Sequence, residues 1–193
     1  MNLTVNEIFY SLQGEGGRVG EASIFIRLTG CNLACDFCDT EFTNGKVMSV
    51  LEILDEIRVF GCRWMVWTGG EPTLQLTNEI IAFFKQNGYF QAIETNGTRQ
   101  MPVGIDYIAC SPKRDFEAVK NVISVVEELR IPIKNGDPLP DISILPRTNR
   151  YFLSPVFDGQ HLVRENVDYC VALIKENPEW ALSLQVHKLI DIR

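Results

Sequence analysis

The sequence predicts an α/β protein: a partial (β/α) barrel of about six parallel strands, formed by a single domain over residues 1–193. Three observations carry that expectation. Strand-like and helix-like patterns alternate along the chain. The residues least suited to a core fall where a strand runs into the next helix, the place where such folds collect their chemistry. Helical cover is thin in the middle of the chain, which argues against a full eight-fold barrel. A length of 193 residues with 46% hydrophobic and 22% charged residues is enough for one substantial core.

The elements follow in order. "ASIFIRLTG" (22–30) is β-branched and aromatic and ends in glycine, so it reads as a buried strand entering a loop rich in cysteine. "SVLEILDEIRVFG" starts with Ser49 three residues before Glu52, a capping box, continues through Val50, Leu54 and Ile57 at helical spacing, and stops at Gly61. "CRWMVWTGGEP" (62–72) is a strand running into a glycine turn. "TNEIIAFFKQNG" (77–88) is a helix with Thr77 as N-cap and Gly88 as its stop. Strands follow at 89–97 and 106–113. "EAVKNVISVV" reads as a short helix and "EELRIPI" as extended, with Pro132 arguing against a central place in a ladder unless its missing donor is not needed. A strand at 150–159 precedes a helix over 161–178, through Val163, Val167, Cys170 and Ile174 and closed by Asn177 and Pro178. "WALSLQVHKL" (180–189) reads as a last strand. Alternation of this kind implies parallel strands joined by right-handed crossovers.

Charge and hydropathy exclude two classes of partner. The formal net charge is -7, the isoelectric point is about 4.9, and Lys and Arg form no long run. Nucleic acid is therefore not an expected partner, since gripping it requires a basic stripe that displaces counterions. No apolar run approaches the roughly 18 residues needed to cross a bilayer. The N-terminus lacks a basic start followed by an apolar middle, so a cytoplasmic protein without membrane contact is expected.

"TGCNLACDFCDTEF" places Cys31, Cys35 and Cys38 within eight residues. Three thiolates can hold three irons of a 4Fe-4S cluster and leave the fourth iron open to a small molecule. The alternative is zinc completed by a remote Asp or by His161 or His187, the two histidines of the chain. Cys62, Cys110 and Cys170 are isolated in apolar surroundings and read as core. In "TGGEP", Gly69 and Gly70 let backbone approach a ligand without interference from a Cβ, and Glu71 can accept from an ammonium.

The C-x3-C-x2-C loop "CNLACDFC", followed about 30 residues on by "TGGEP", resembles the radical S-adenosylmethionine superfamily. That resemblance implies a 4Fe-4S cluster on Cys31, Cys35 and Cys38, with S-adenosylmethionine on its open iron. It also implies Phe37 and Asp39 near the adenine, and Gly69, Gly70 and Glu71 at the methionine amino group. The implied fold is the partial barrel of that superfamily. A closer resemblance runs through "EIFYSLQGEGGRVGEASIFIRLTGCNLACDFCDT", "ETNGT", "SPK" and "LQVHK". These segments are similar to the 7-carboxy-7-deazaguanine synthase family over nearly the whole chain. The family converts 6-carboxy-5,6,7,8-tetrahydropterin to 7-carboxy-7-deazaguanine by a radical ring contraction with loss of ammonia, on the way to queuosine and other 7-deazapurines. Magnesium, a flavodoxin- or ferredoxin-type reductant and a homodimer are implied with it.

Several residues suit those ligands chemically. The Gln13 amide both donates and accepts, which fits a pterin edge, and Glu15 can take the N–H groups of a guanidine-like ring. The alternative for both is a solvated loop, but "QGEG" surrounds them with glycine, and Leu12 and Gly14 adjoin them. Arg27 lies on a strand that otherwise reads as buried, so its guanidinium needs a carboxylate: the substrate's, or one inside the chain. The resemblance places magnesium on Thr40 and substrate on Thr68, His187 and the C-terminal Arg193. It places the nucleoside on Glu94, Asn96, Ser111, Pro112, Lys113, Ser154 and Pro155, with Ser154 standing where the family pattern has glutamine.

Two rival readings remain at the level of sequence. A radical activase that takes hydrogen from a glycine of a partner protein explains the short chain and the cluster, but not "QGEG". A zinc or iron-sulfur binding module explains the cysteines, but not "TGGEP".

Overall fold

The computed structural model describes residues 1–38, 40–113 and 115–193. Its frame is one nine-stranded sheet: β1 (Asn2–Leu12), β2 (Ala22–Leu28), β3 (Lys46–Ser49), β4 (Trp64–Gly69), β5 (Phe90–Thr95), β6 (Tyr107–Cys110), β7 (Glu128–Ile133), β8 (Tyr151–Pro155) and β9 (Trp180–Leu182). The strands lie in the order β3-β1-β2-β4-β5-β6-β7-β8-β9, so the sheet is open. All pairings from β2 through β9 are parallel. Helices α1 (Val50–Ile57), α2 (Asn78–Gln86), α3 (Phe116–Val122) and α4 (Arg164–Glu176) follow strands, and a short α5 (Val186–Leu189) ends the chain.

Two strands go beyond the sequence expectation. β1 runs antiparallel to β2, and β3 runs antiparallel to β1 on its other side. A register shift between Val5 and Glu7 breaks the alternation in β1, so buried Leu3 and Val5 are followed on the same face by Ile8 rather than residue 7. A bulge of this kind hides a strand from any reading based on period two. At the other end, the strand expected over 180–189 stops at Leu182, and "VHKL" turns into α5.

Alternation sorts the two faces of the sheet. Ile24, Ile26 and Leu28 of β2, Met65 and Trp67 of β4 and Ile93 of β5 pack against Ile53, Leu54 and Ile57 of α1 and Ile80, Ile81 and Phe84 of α2. Cys110, Leu129, Ile131, Ile133 and Leu153 continue this outer core beneath Val119 of α3 and Cys170 of α4. Burial raises the thiol pKa of Cys110 to about 12 and that of Cys170 to about 11, which fits their place as core. Cys62 is half-buried and packs at the margin of the same layer. On the inner face, Phe9, Phe25, Val66 and Ala92 form an apolar floor with Trp64 and Tyr107. The alternating residues nearer the strand ends are polar: Arg27, Thr68, Glu94, Arg130 and Ser154.

Helix starts behave as their chemistry dictates. Ser49 caps α1 with a reciprocal Glu52 contact, and Thr77 accepts from the Ile80 N–H. Gly88, at φ +82°, follows the Asn87 cap of α2 as a left-handed stop. α1 ends at Ile57, four residues before Gly61, because Phe60 turns back to bond Ile57 and stack on Tyr10.

Pro132 sits inside the sheet after all, paired with Ser154 of β8. Leu129 N–H donates to Arg150 and Ile133 C=O accepts from Val156, so odd positions of β7 bond β8 and Pro132 faces β6. The β6 ladder reaches only Leu129, so no donor is needed at 132.

Candidate active site

The loop after β2 carries the three cysteines and is braced from two neighbouring strand ends. Gly30 N–H donates to Phe42 C=O across its base. From β4, Glu71 N–H donates to Gly30 C=O and Gly70 N–H to Leu28 C=O. A Cβ on Gly70 would lie 2.0 Å from the Gly30 oxygen, and one on Gly69, at φ +127°, 2.0 Å from that of Leu28. The glycine pair therefore serves backbone-to-backbone packing against the cysteine loop, in addition to lining a cavity. From β5, Asn96 Nδ2 donates to Asn32 Oδ1 at 3.0 Å, and Asn32 Nδ2 donates to Thr98 Oγ1 at 2.8 Å.

The Glu71 side chain, expected at an ammonium, ties these strand ends together. It is fully buried. Its carboxylate accepts from Thr73 N–H and Oγ1, from Thr95 Oγ1 and from Asn96 N–H at 2.6–3.1 Å. Such a saturated carboxylate organises the backbone around it. The Asn96 amide is likewise committed to Asn32 and to Thr98, whose N–H and hydroxyl donate to its Oδ1. Pro112 is buried and faces neither cavity described below. Asp39 lies outside the described residues.

The open side of the sheet holds two adjoining cavities. Cys31, Cys35 and Cys38 line the first, which runs under Phe37, past Gly69 and Gly70, along Glu94, Asn96, Ser111 and Lys113, to Ser154 and Pro155. Lys113 and Lys134 stand 5.9 Å and 5.5 Å from the Phe37 ring centroid. Burial pushes the Lys113 ammonium below its ordinary pKa, against the pull of Glu15. Lys113 also donates to Ser111 Oγ at 2.8 Å. Ser154 Oγ is a buried atom with no hydrogen-bond partner among the described residues, an orphan on the cavity wall.

Leu12, Gln13, Gly14, Glu15, Arg27, Thr68, His187 and Arg193 all line the second cavity. Glu15, Thr40, Thr68, Glu94 and Gln185 line both and form the wall between them. Gly14 takes the His187 ring against its backbone, where a Cβ would lie 2.1 Å from Nδ1. Both "QGEG" glycines thus admit neighbouring side chains of this protein, and Gly14 also borders a cavity. Arg27 Nε bonds Glu7 Oε1 at 2.8 Å, a cross-strand pair in the β1–β2 register. The internal ion pair, one of the two partners open for Arg27 in the sequence, is therefore formed; Glu7 also takes Arg193. The guanidinium still borders the cavity.

Three residues of this site were missed in the sequence. Arg130, with a side chain 5% exposed, lies 3.0 Å from Glu15, 2.9 Å from Glu94 and 3.1 Å from Glu128. Burial disfavours its charge, but the three carboxylates outweigh burial and raise its pKa. Burial pushes Glu94 upward, yet Arg130 and the Gln13 amide hold it below the usual carboxylate range. Gln185 Nε2 donates to Glu15 Oε1 at 3.1 Å. Alternation in "EELRIPI" puts Glu128 and Arg130 on one face, and that was the available signal for both. Gln185 lay inside the quoted "LQVHK".

The donor set fits an iron-sulfur cluster. Among the described residues, no three His, Cys, Asp or Glu side chains come together closely enough to hold a single metal ion, the arrangement a closed zinc site demands. A cluster instead spreads three thiolates over separate irons, and neither cavity offers a fourth cysteine.

The sequence profile described as the Radical SAM superfamily matches residues 25–181. A 7-carboxy-7-deazaguanine synthase of Bacteroides thetaiotaomicron is 40% identical over 98% of both chains. The enzyme of the same name from Haemophilus influenzae is 41% identical over 99% of this chain and 94% of its own. The chain belongs to the 7-carboxy-7-deazaguanine synthase family of radical SAM enzymes. A further member by name, from Caulobacter vibrioides, is 35% identical over the full length of both chains. The crystal structure of QueE from Escherichia coli superposes with a TM-score of 0.75 at 23% identity, covering 97% of this chain and 95% of that one, so the fold is shared. Family membership identifies an enzyme with a 4Fe-4S cluster and S-adenosylmethionine, and it disfavours the activase and binding-module readings.

Proposed function

We propose that this enzyme converts 6-carboxy-5,6,7,8-tetrahydropterin to 7-carboxy-7-deazaguanine, with the cofactor in the first cavity and the pterin in the second. The observation that carries this reading is the shared wall: Glu15, Thr40, Thr68, Glu94 and Gln185 border both spaces, so two ligands would meet across them. When bound, the cluster and S-adenosylmethionine supply the one-electron chemistry that removes a hydrogen atom from the substrate.

The chain's own residues bind, orient and exclude water. Cys31, Cys35 and Cys38 hold the cluster on a loop fixed by Glu71, Asn96 and Asn32. Lining the first cavity, Phe37 would stack near the adenine, the backbone at Gly69 and Gly70 would meet the methionine end, and Ser111, Lys113, Ser154 and Pro155 would border the nucleoside. Glu15 accepts from the pterin's guanidine-like edge, while Gln13 supplies a donor and an acceptor there. Arg27 and Arg193 present positive charge to the substrate carboxylate, which competes with Glu7 for the same guanidinium groups. Thr40 offers a hydroxyl to magnesium at the shared wall, a sparse oxygen site that leaves room for water and substrate oxygens. His187 packs its ring against the loop at Gly14. A flavodoxin- or ferredoxin-type reductant, a homodimer and a cytoplasmic location accompany this reading; among the described residues, no helix is long and apolar enough to cross a membrane.

The test is anaerobic turnover of the reconstituted protein with S-adenosylmethionine, magnesium, a reductant and the pterin, following the deazaguanine by mass and absorbance. Product is the expected outcome. Cleavage of S-adenosylmethionine to 5'-deoxyadenosine without product would overturn the substrate and favour a protein partner.

A further inference from the structure

Arg130 is buried among three carboxylates, and they do not play equivalent parts. Glu128, two residues away on β7 and itself buried, stands 3.1 Å from Nε as a countercharge, although Nε makes no hydrogen bond among the described residues. Glu128 borders neither cavity; it is held by Gly17 N–H at 2.6 Å and by the Tyr107 hydroxyl at 2.8 Å. The other end of the fork points elsewhere. Nη1 donates to Glu15 Oε2 at 3.0 Å and Nη2 to Glu94 Oε1 at 2.9 Å. These two carboxylates come from the loop after β1 and the end of β5, distant in sequence, and both lie on the wall common to the two cavities.

Each also takes a second donor from an element bordering the substrate cavity. Gln185 donates to Oε1 of Glu15, and Gln13 to Oε1 of Glu94. Among the described residues, both side-chain bonds to Glu94 fall on Oε1, and Oε2 accepts none. Only a planar, five-donor fork can reach three carboxylates at once from a fixed plane; an ammonium is a point charge without that geometry.

We propose that Arg130 is a positioning residue of the reaction: its guanidinium, buried beside Glu128, bonds Glu15 and Glu94 at once and fixes them relative to each other, so that pterin and nucleoside are held in register across their shared wall. The inference rests on the proposed assignment of the two cavities. Arg130 does not act on reacting atoms; it acts through the two carboxylates.

The test compares wild type with Arg130→Met and Arg130→Lys in the full-length protein. Binding of the fluorescent analogue 6-carboxypterin to cluster-free protein is titrated, and thermal midpoint and iron content after reconstitution are recorded. KM and kcat for the tetrahydropterin are then separated in the reconstituted enzyme. The expected result is binding weakened about tenfold or more in both variants, because Glu15 and Glu94, no longer held together, each lose alignment for a charge-assisted bond to the ligand. Arg130→Lys keeps the wild-type midpoint and iron content, and its loss in turnover falls on KM rather than on kcat. A purely structural arginine would lower the midpoint and leave the affinity of the folded fraction alone. Wild-type affinity and KM in Arg130→Lys would overturn the inference, whether or not Arg130→Met folds. A wild-type protein that neither binds the analogue nor turns over the pterin would instead overturn the cavity assignment, and this inference with it.

Discussion

At the scale of single residues, identical side-chain types are put to different uses by what surrounds them. Glu71 and Glu94 stand on adjacent strand ends, yet Glu71 is saturated by hydroxyl and backbone donors while Glu94 borders both cavities. Glu71→Gln turns an amide N–H toward donors, and a buried site with mismatched donors is expected to lose about 2 kcal/mol of stability, read from urea unfolding. Arg27 makes the opposite case. Its bond to Glu7 is partly solvated, with side chains 22% and 23% exposed, so the pair adds little to folding. Arg27→Ala is expected to keep the wild-type thermal midpoint and iron content while raising KM for the pterin about tenfold or more, since a charge-assisted contact is lost at the ligand. Unchanged KM in that variant would remove Arg27 from the substrate site. Cys35→Ala, by contrast, should lose the cluster's visible absorbance and all turnover, because a loop with two thiolates no longer supplies the donor set.

At the scale of elements, the cysteine loop is only as well placed as the strand ends that grip it. Gly70→Ala would drive a methyl group to 2.0 Å from the Gly30 oxygen, and backbone cannot yield as a side-chain end can. The sheet itself does not depend on that contact. The variant is therefore expected to fold with wild-type circular dichroism and to take up markedly less iron on reconstitution. The elements most legible in the sequence were those whose local chemistry and tertiary role agree. "SVLE" before α1 and "TNE" before α2 carry their caps, and "ASIFIRL" and "WMVWTG" are apolar because helices cover their outer faces. The illegible ones owe their form to distant partners. β1 carries a bulge that breaks its period, and β3 has four residues whose strand character comes from pairing with β1. Arg130 was hidden for a related reason: in "ELRIPI" an arginine between apolar residues gives no hint that Glu15, 115 positions earlier, folds onto it. Cysteine spacing, in contrast, is local, so the sequence alone shows the three cysteines that the structure gathers on one cavity wall.

At the scale of the whole molecule, the sheet separates a dry outer layer from an inner face whose charge increases toward the strand ends. The apolar floor of Phe9, Phe25, Val66 and Ala92 excludes water beneath the site, and the ionic wall above it is consequently poorly screened. Around Arg130, three carboxylates face one guanidinium, with Lys113 and Arg27 close enough to act on Glu94 or its neighbours. This arrangement predicts how the fold responds to acid. The Glu94 carboxyl is held below its ordinary pKa in the folded chain, so between its folded and unfolded values the unfolded chain binds more protons and stability rises with pH. The contribution is present in full above the ordinary carboxylate range and is lost as pH falls through the lowered folded value. Glu94→Gln cannot titrate, so its stability should depend less steeply on pH in that acid window, by up to one proton, while near neutrality it is less stable than wild type. Urea unfolding of the cluster-free protein at a series of pH values checks this, and an unchanged acid slope in Glu94→Gln would show that Arg130 does not hold Glu94 ionised in the folded chain.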